Sequence, residues 1–136
     1  MKAWQKVFRE GIVPNVEPGG LLSLYEALAN DDPRLIQGAT TTPPPLQCVS
    51  DWPCECACPI GWTTFRGNPE VTVGDVEEDF AMVCFEADQI LGLPAACREF
   101  INWWDDGNYE QVRRELKAEL KLILGVSHVG AVKEAG

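Results

Sequence analysis

The 136-residue sequence predicts an all-α protein, a small bundle of about five helices with a long irregular Pro/Cys-rich segment packed over it. Apolar residues recur at three- and four-residue spacing in several stretches, which is the pattern of a helix with one buried face. Between residues 39 and 71 this periodicity disappears, and prolines, glycines and cysteines gather there. We expect one domain over residues 1–124 and a weakly patterned, flexible tail over residues 125–136.

The first third of the chain predicts two helices. The first ends at Gly11, after which residues 12–14 lead away as an extended linker. The second follows the break at residues 18–20 and ends near Asn30. A further single turn is expected over residues 33–37. The apolar faces of the two helices are Ala3, Trp4, Val7 and Phe8, then Leu21, Leu24, Tyr25 and Leu28.

The stretch from Thr72 to Leu124 predicts three successive helices around which the chain is organised. Thr72 with Asp75 is a capping pair for the first of these helices, and Gly92 ends it in a left-handed cap. Pro94 suits the first turn of the second helix. Asn108 opens the third helix, which ends at Gly125. We expect one shared core from these helices: Phe80, Cys84, Phe100, Trp104, Leu116 and Leu120.

The segment over residues 39–71 is too apolar for a solvated linker, so we expect it to lie on the helices. Loops of this length in compact domains are often functional or pinned in place. Trp52, Trp62 and Phe65 are its large aromatic residues, and they are the candidate interaction residues.

Cys48, Cys54, Cys56 and Cys58 form the densest chemical feature, a C-x5-C-x-C-x-C run. Four thiolates suffice for a tetrahedral zinc site, so zinc is a candidate cofactor. However, the usual C-x-x-C knuckle is absent, and an extended C-x-C-x-C would space its thiols about 6.6 Å apart. A thiol-based redox role and plain reduced cysteines are the competing interpretations. Cysteines 84 and 97 are expected in the core.

No catalytic constellation accompanies these cysteines. His128 is the only histidine and falls in the tail. There is no phosphate-binding loop or nucleophile elbow. The sequence therefore leans away from an enzyme.

The charge is strongly acidic, with 21 acidic and 11 basic residues and a net charge of −10. This balance disfavours direct binding to nucleic acid or to anionic membranes. The N-terminus lacks an export signal and no apolar stretch has membrane-spanning length, so a cytoplasmic location is expected.

The leading functional hypothesis is a protein-binding or structural module that contacts an unidentified protein partner through the central segment. The first alternative is a redox or zinc-binding protein using Cys48–Cys58. The second is a nucleic-acid mimic that binds a basic protein, which would need a continuous acidic ribbon.

Overall fold

The computed structural model describes residues 1–41 and 51–125, and this part of the chain is 66% helical, with six α-helices and no β-strand. The all-α prediction is therefore confirmed. The helices are α1 (Ala3–Val7), α2 (Pro18–Ala29), α3 (Pro59–Phe65), α4 (Val73–Leu91), α5 (Arg98–Asp106) and α6 (Tyr109–Leu124).

Local end signals set the bounds of α4 and α6 as predicted. The Thr72 hydroxyl accepts a hydrogen bond from the Asp75 amide at 3.2 Å, and the Asp75 carboxylate accepts one from the Thr72 amide. The Asn108 side chain caps α6. Gly92 and Gly125 both have a left-handed backbone, with φ of 70° and 67°, which glycine adopts without a steric penalty.

The N-terminal helix does not end at Gly11, and the predicted extended linker is wrong. A π-helical turn (Phe8–Ile12) and a 3-10 turn (Val13–Asn15) continue α1 instead. Gly11 serves close packing, because a Cβ atom there would lie 2.8 Å from Leu91 Cδ1 and 3.0 Å from Ala87 Cβ. A glycine at this position predicts a helix end, but here its small size lets the segment approach α4.

Two other helix starts differ from the prediction. α2 begins at Pro18, whose fixed φ suits the first helical position, and it ends before Asn30 as expected. α5 begins at Arg98, and Pro94 lies in the connection that precedes it. Ala95 in that connection has φ of 57°, which interrupts a right-handed helix.

Helix α3 lies inside the segment that the sequence predicted to be irregular. Cys58 is its N-cap and accepts a hydrogen bond from the Gly61 amide at 3.4 Å. The seven residues of α3 include a glycine and two threonines, which have low helix propensity. Six of the seven are buried, so tertiary packing stabilises this helix.

One hydrophobic core joins the helices. Four of the six residues predicted to share it are buried: Phe100, Trp104, Leu116 and Leu120. The other two, Phe80 and Cys84, are only partly buried at its edge. The stack of α1 on α5 is aromatic: the Trp4 and Trp103 rings lie parallel with centroids 3.7 Å apart.

Backbone pairing and one buried arginine hold the connection after α2. Ala57 forms a bridge with Leu35, in which the Ile36 amide donates to the Ala57 carbonyl at 2.9 Å. The Arg113 guanidinium of α6 is 6% exposed and donates to the carbonyls of Leu35 at 3.0 Å and Asp32 at 3.1 Å. The described part of the central segment is therefore ordered by protein contacts.

Candidate functional site

The cysteine cluster is only partly within the described residues, since Cys48 lies outside them. Cys54 and Cys58 are buried, and Cys56 is half-buried. The Cys54 thiol donates to the Cys56 carbonyl at 3.3 Å, while Cys58 is occupied in capping α3. Residues 1–41 and 51–125 contain no group of three or more His, Cys, Asp or Glu residues placed to hold a metal ion. The four-cysteine zinc site stays a prediction.

Burial governs the chemistry of the two inner thiols. Loss of solvation raises the pKa of Cys54 to about 11 and that of Cys58 to about 12. Only the thiolate is a good nucleophile, so both side chains are poorly reactive at neutral pH. This counts against the cluster as a redox centre.

The three candidate interaction aromatics do not share a surface. Trp62 and Phe65 are 2% and 1% exposed, and their rings pack edge to face in the core. In this fold they anchor α3 in the core, and a contact role for them stays a prediction. Trp52 is 49% exposed and lies apart from them on the outside of the domain.

A cavity of about 250 Å³ opens where the central segment meets α5. Cys58, Phe80, Phe100 and Trp104 are among its walls, and the Asp105 carboxylate at its rim already accepts a hydrogen bond from the Gly38 amide. Its volume lies below the range of about 300–1,000 Å³ that is typical of small-molecule sites. We therefore assign it no ligand.

The most distinctive surface is the side of α4 that points away from the core. Two neighbouring rows of exposed side chains run along it at four-residue spacing, and we call them together the α4 outer face. One row is Ala81, Phe85 and Gln89, and the other is Glu78, Met82, Glu86 and Ile90.

Large apolar side chains are unusually open on this face. Phe85 is 60% exposed, Met82 56% and Ile90 54%, and Leu93 just beyond the helix is 62% exposed. Single exposed apolar residues are ordinary, but a group of them on one helix marks an interaction surface. The three-residue spacing of Ile90 from the buried Ala87 predicts a buried side chain, but Ile90 is exposed.

The charge of α4 has a single sign. The helix contains six acidic residues and no basic residue: Asp75, Glu77, Glu78, Asp79, Glu86 and Asp88. Some of these already have local partners, because Glu77 accepts from the Thr41 hydroxyl at 2.7 Å and Asp79 from the Thr64 hydroxyl at 3.0 Å. Glu78 and Glu86 lie between the apolar side chains of the outer face. The face is thus apolar with a negative potential.

Within the described ranges, no helix has both the length and the apolar character needed to cross a membrane. The chain matches no known family model, and no curated protein or solved structure shows significant similarity to it.

Proposed function

We propose that this protein is a protein-binding module whose α4 outer face docks a basic amphipathic helix of a partner protein. The observation that carries the proposal is the exposure of Met82, Phe85 and Ile90 on a helix that has six acidic residues and no basic one. An apolar surface of this kind gains free energy when it is covered. The acidic residues select the charge of what covers it.

The geometry of the face suits a helix. Rows of side chains at four-residue spacing form ridges, and the groove between two such rows accepts the ridge of another helix. The groove between the two rows of the outer face has Phe85 on one side and Met82 on the other. A partner helix would place its apolar residues in this groove and its Lys or Arg residues beside Glu78 and Glu86.

The same pattern favours docking over imitation of nucleic acid. A mimic of the phosphate backbone needs closely spaced negative charges along a continuous ribbon. On the α4 outer face, Met82 separates Glu78 from Glu86, and Ile90 follows. Apolar residues at these positions add nothing to a phosphate-like surface, but they are the usual anchors of a helix in a groove.

The proposed function is still protein binding, as the sequence predicted, but the binding surface is on α4 instead of the central segment. The central segment was the expected contact region, but Trp62 and Phe65 are enclosed in the core. The exposed aromatic of α4, Phe85, takes their place as the principal anchor.

The test uses a synthetic helical peptide of leucine and lysine as the probe, labelled for fluorescence anisotropy. Its control is the same peptide with each lysine replaced by glutamate. Binding is measured for the wild-type chain, for Phe85→Ser and for Leu122→Ser. The last is the matched control, because Leu122 is also an exposed apolar residue but lies on α6. Sedimentation of each variant without peptide reports self-association.

We expect the basic peptide to bind and the acidic one not to bind. Phe85→Ser should weaken binding roughly thirtyfold, the effect of losing about 2 kcal/mol at an interface anchor, and Leu122→Ser should not. Equal binding by wild type and Phe85→Ser would overturn the proposal. A wild-type dimer that Phe85→Ser dissociates would also overturn it, because a second copy of this chain would then occupy the face. Binding of the peptide only after removal of residues 126–136 would overturn it too, because that part of the chain would then be the occupant.

A further inference from the structure

Cys84 and Cys97 are thirteen residues apart in sequence but meet in space where α4 and α5 join. The Cys97 thiol lies 3.6 Å from the Cys84 backbone carbonyl, to which it donates a hydrogen bond. The two side chains are close enough for each to perturb the pKa of the other. The Cys97 amide is held in turn by Asp88 Oδ1 at 2.9 Å, which fixes Cys97 at the start of α5. The fold thus places two free cysteines side by side.

The two thiols differ in exposure and in acidity. Cys84 is half-buried and open to solvent at the edge of the core, whereas Cys97 is buried. The neighbouring Cys97 thiol lowers the pKa of Cys84, although burial and the Asp88 charge oppose this effect. The same contact, together with burial, raises the pKa of Cys97. The proton therefore stays on the inner sulfur and the outer sulfur is the better nucleophile.

The connection between α4 and α5, which precedes Cys97, borders a surface cleft. An open cleft of about 340 Å³ is lined by Asp88, Gln89 and the start of the α4–α5 connection, over residues 92–94. Asp88 is the same residue that holds the Cys97 amide. The connection carries two left-handed residues, Gly92 and Ala95, and it sits at a helix end rather than inside a helix. A small movement of Cys97 there disturbs few helical hydrogen bonds.

We propose that Cys84 and Cys97 form a peroxide-responsive dithiol, in which Cys84 attacks the oxidant and Cys97 resolves the product to a disulfide. This activity is separate from the docking of a partner on the α4 outer face. It assigns redox chemistry to two cysteines that sequence analysis placed in the core, and not to the Cys48–Cys58 cluster.

The reaction has two steps. The Cys84 thiolate attacks one oxygen of hydrogen peroxide, so that an S–O bond forms, the O–O bond breaks and the departing hydroxide takes up a proton to become water. The Cys97 sulfur then attacks the Cys84 sulfenic acid. An S–S bond forms, the S–O bond breaks, and the hydroxyl leaves as a second water with the Cys97 proton. Two thiols are oxidised by two electrons and one peroxide is reduced to two waters.

The test treats the full reduced chain with one equivalent of hydrogen peroxide in the presence of dimedone, which traps sulfenic acids, and maps the products by mass spectrometry. The variants are Cys84→Ser, Cys97→Ser and Cys97→Ala. Cys56→Ser is the matched control, because it removes another half-buried cysteine from the separate cluster. Circular dichroism and urea midpoints of the reduced variants establish that each one folds, and two replacements at Cys97 guard against a defect caused by burying a hydroxyl.

We expect a disulfide between residues 84 and 97 in the wild type and in Cys56→Ser, without a dimedone adduct. Both Cys97 variants should instead carry dimedone on Cys84. Cys84→Ser should slow the oxidation of Cys97 by about tenfold or more, since the remaining thiol of the pair is buried and less acidic. Oxidation of Cys84→Ser at the wild-type rate would refute the proposal. A first disulfide that involves Cys48 or Cys56, or a wild-type adduct on Cys84 without the disulfide, would refute it as well.

Discussion

Replacing Arg113 with alanine removes a charged side chain of α6 that reaches into the connection after α2. Its guanidinium is buried, and it donates to the Leu35 carbonyl at 3.0 Å and to the Asp32 carbonyl at 3.1 Å. Both acceptors lie at the turn that leads into the bridge with Ala57. We expect Arg113→Ala to be among the most destabilising single changes in the polar part of the fold.

The magnitude follows from the separate contacts. A hydrogen bond from a charged donor is worth about 1.5–3 kcal/mol, and two carbonyls lose such a partner. The ion pair with Asp31, in which Arg113 Nε lies 3.2 Å from Oδ1, adds little because the Asp31 side chain is 77% exposed. The Tyr109 ring, 4.8 Å from the guanidinium carbon, adds about 0.5–1 kcal/mol. Together these give a loss of about 3.5–7 kcal/mol in the free energy of unfolding.

The assay is urea unfolding followed by circular dichroism, with two matched variants. Asp31→Asn tests the ion pair alone and should cost less than about 1 kcal/mol. Arg113→Lys keeps the charge but lacks the planar fork that reaches both carbonyls, so its loss should lie between the other two. If Arg113→Ala costs no more than Asp31→Asn, the two carbonyl contacts do not stabilise the fold and the reasoning is wrong.

Further predictions concern packing, capping and thiol reactivity. Gly20→Ala should cost about 1–3 kcal/mol, because its Cβ would lie 2.6 Å from the Thr63 carbonyl oxygen. In contrast, Gly19→Ala meets only the flexible end of an arginine and should be neutral or stabilising in the same unfolding assay. Thr72→Ala should lower the free energy of unfolding by about 0.5–2 kcal/mol through loss of the α4 cap, with an unchanged urea m-value. Burial raises the pKa of Cys58 to about 12, so iodoacetamide at pH 8 should label Cys58 in urea but hardly at all in the native chain.

Local signals explain how much of the fold the sequence could predict. Thr72, Gly92, Asn108 and Gly125 act on their own backbone neighbours, so their roles are visible without knowing what packs where. Helix α3 could not be predicted from such local signals. Its residues are weak helix formers, and only burial against α2 and α4 makes them helical.

The candidate site was harder to predict for the same reason. A helical pattern shows which residues can share a face, but not whether another element covers that face. Met82 lies between Glu78 and Glu86 on its row, and Met82 and Phe85 both lie opposite the buried stripe, so only the completed packing reveals that they are exposed. The contact of Cys84 with Cys97 depends on the short connection between α4 and α5, and sequence spacing alone cannot place it.

The parallel stack of Trp4 on Trp103 gives the protein a built-in optical reporter. Two indole rings 3.7 Å apart couple their electronic transitions, so their near-ultraviolet circular dichroism depends on the pairing and not on either ring alone. Because Trp4 belongs to α1 and Trp103 to α5, that signal follows the docking of the N-terminal helix separately from overall helix content. Undocking of α1 can then be timed in solution without any added label.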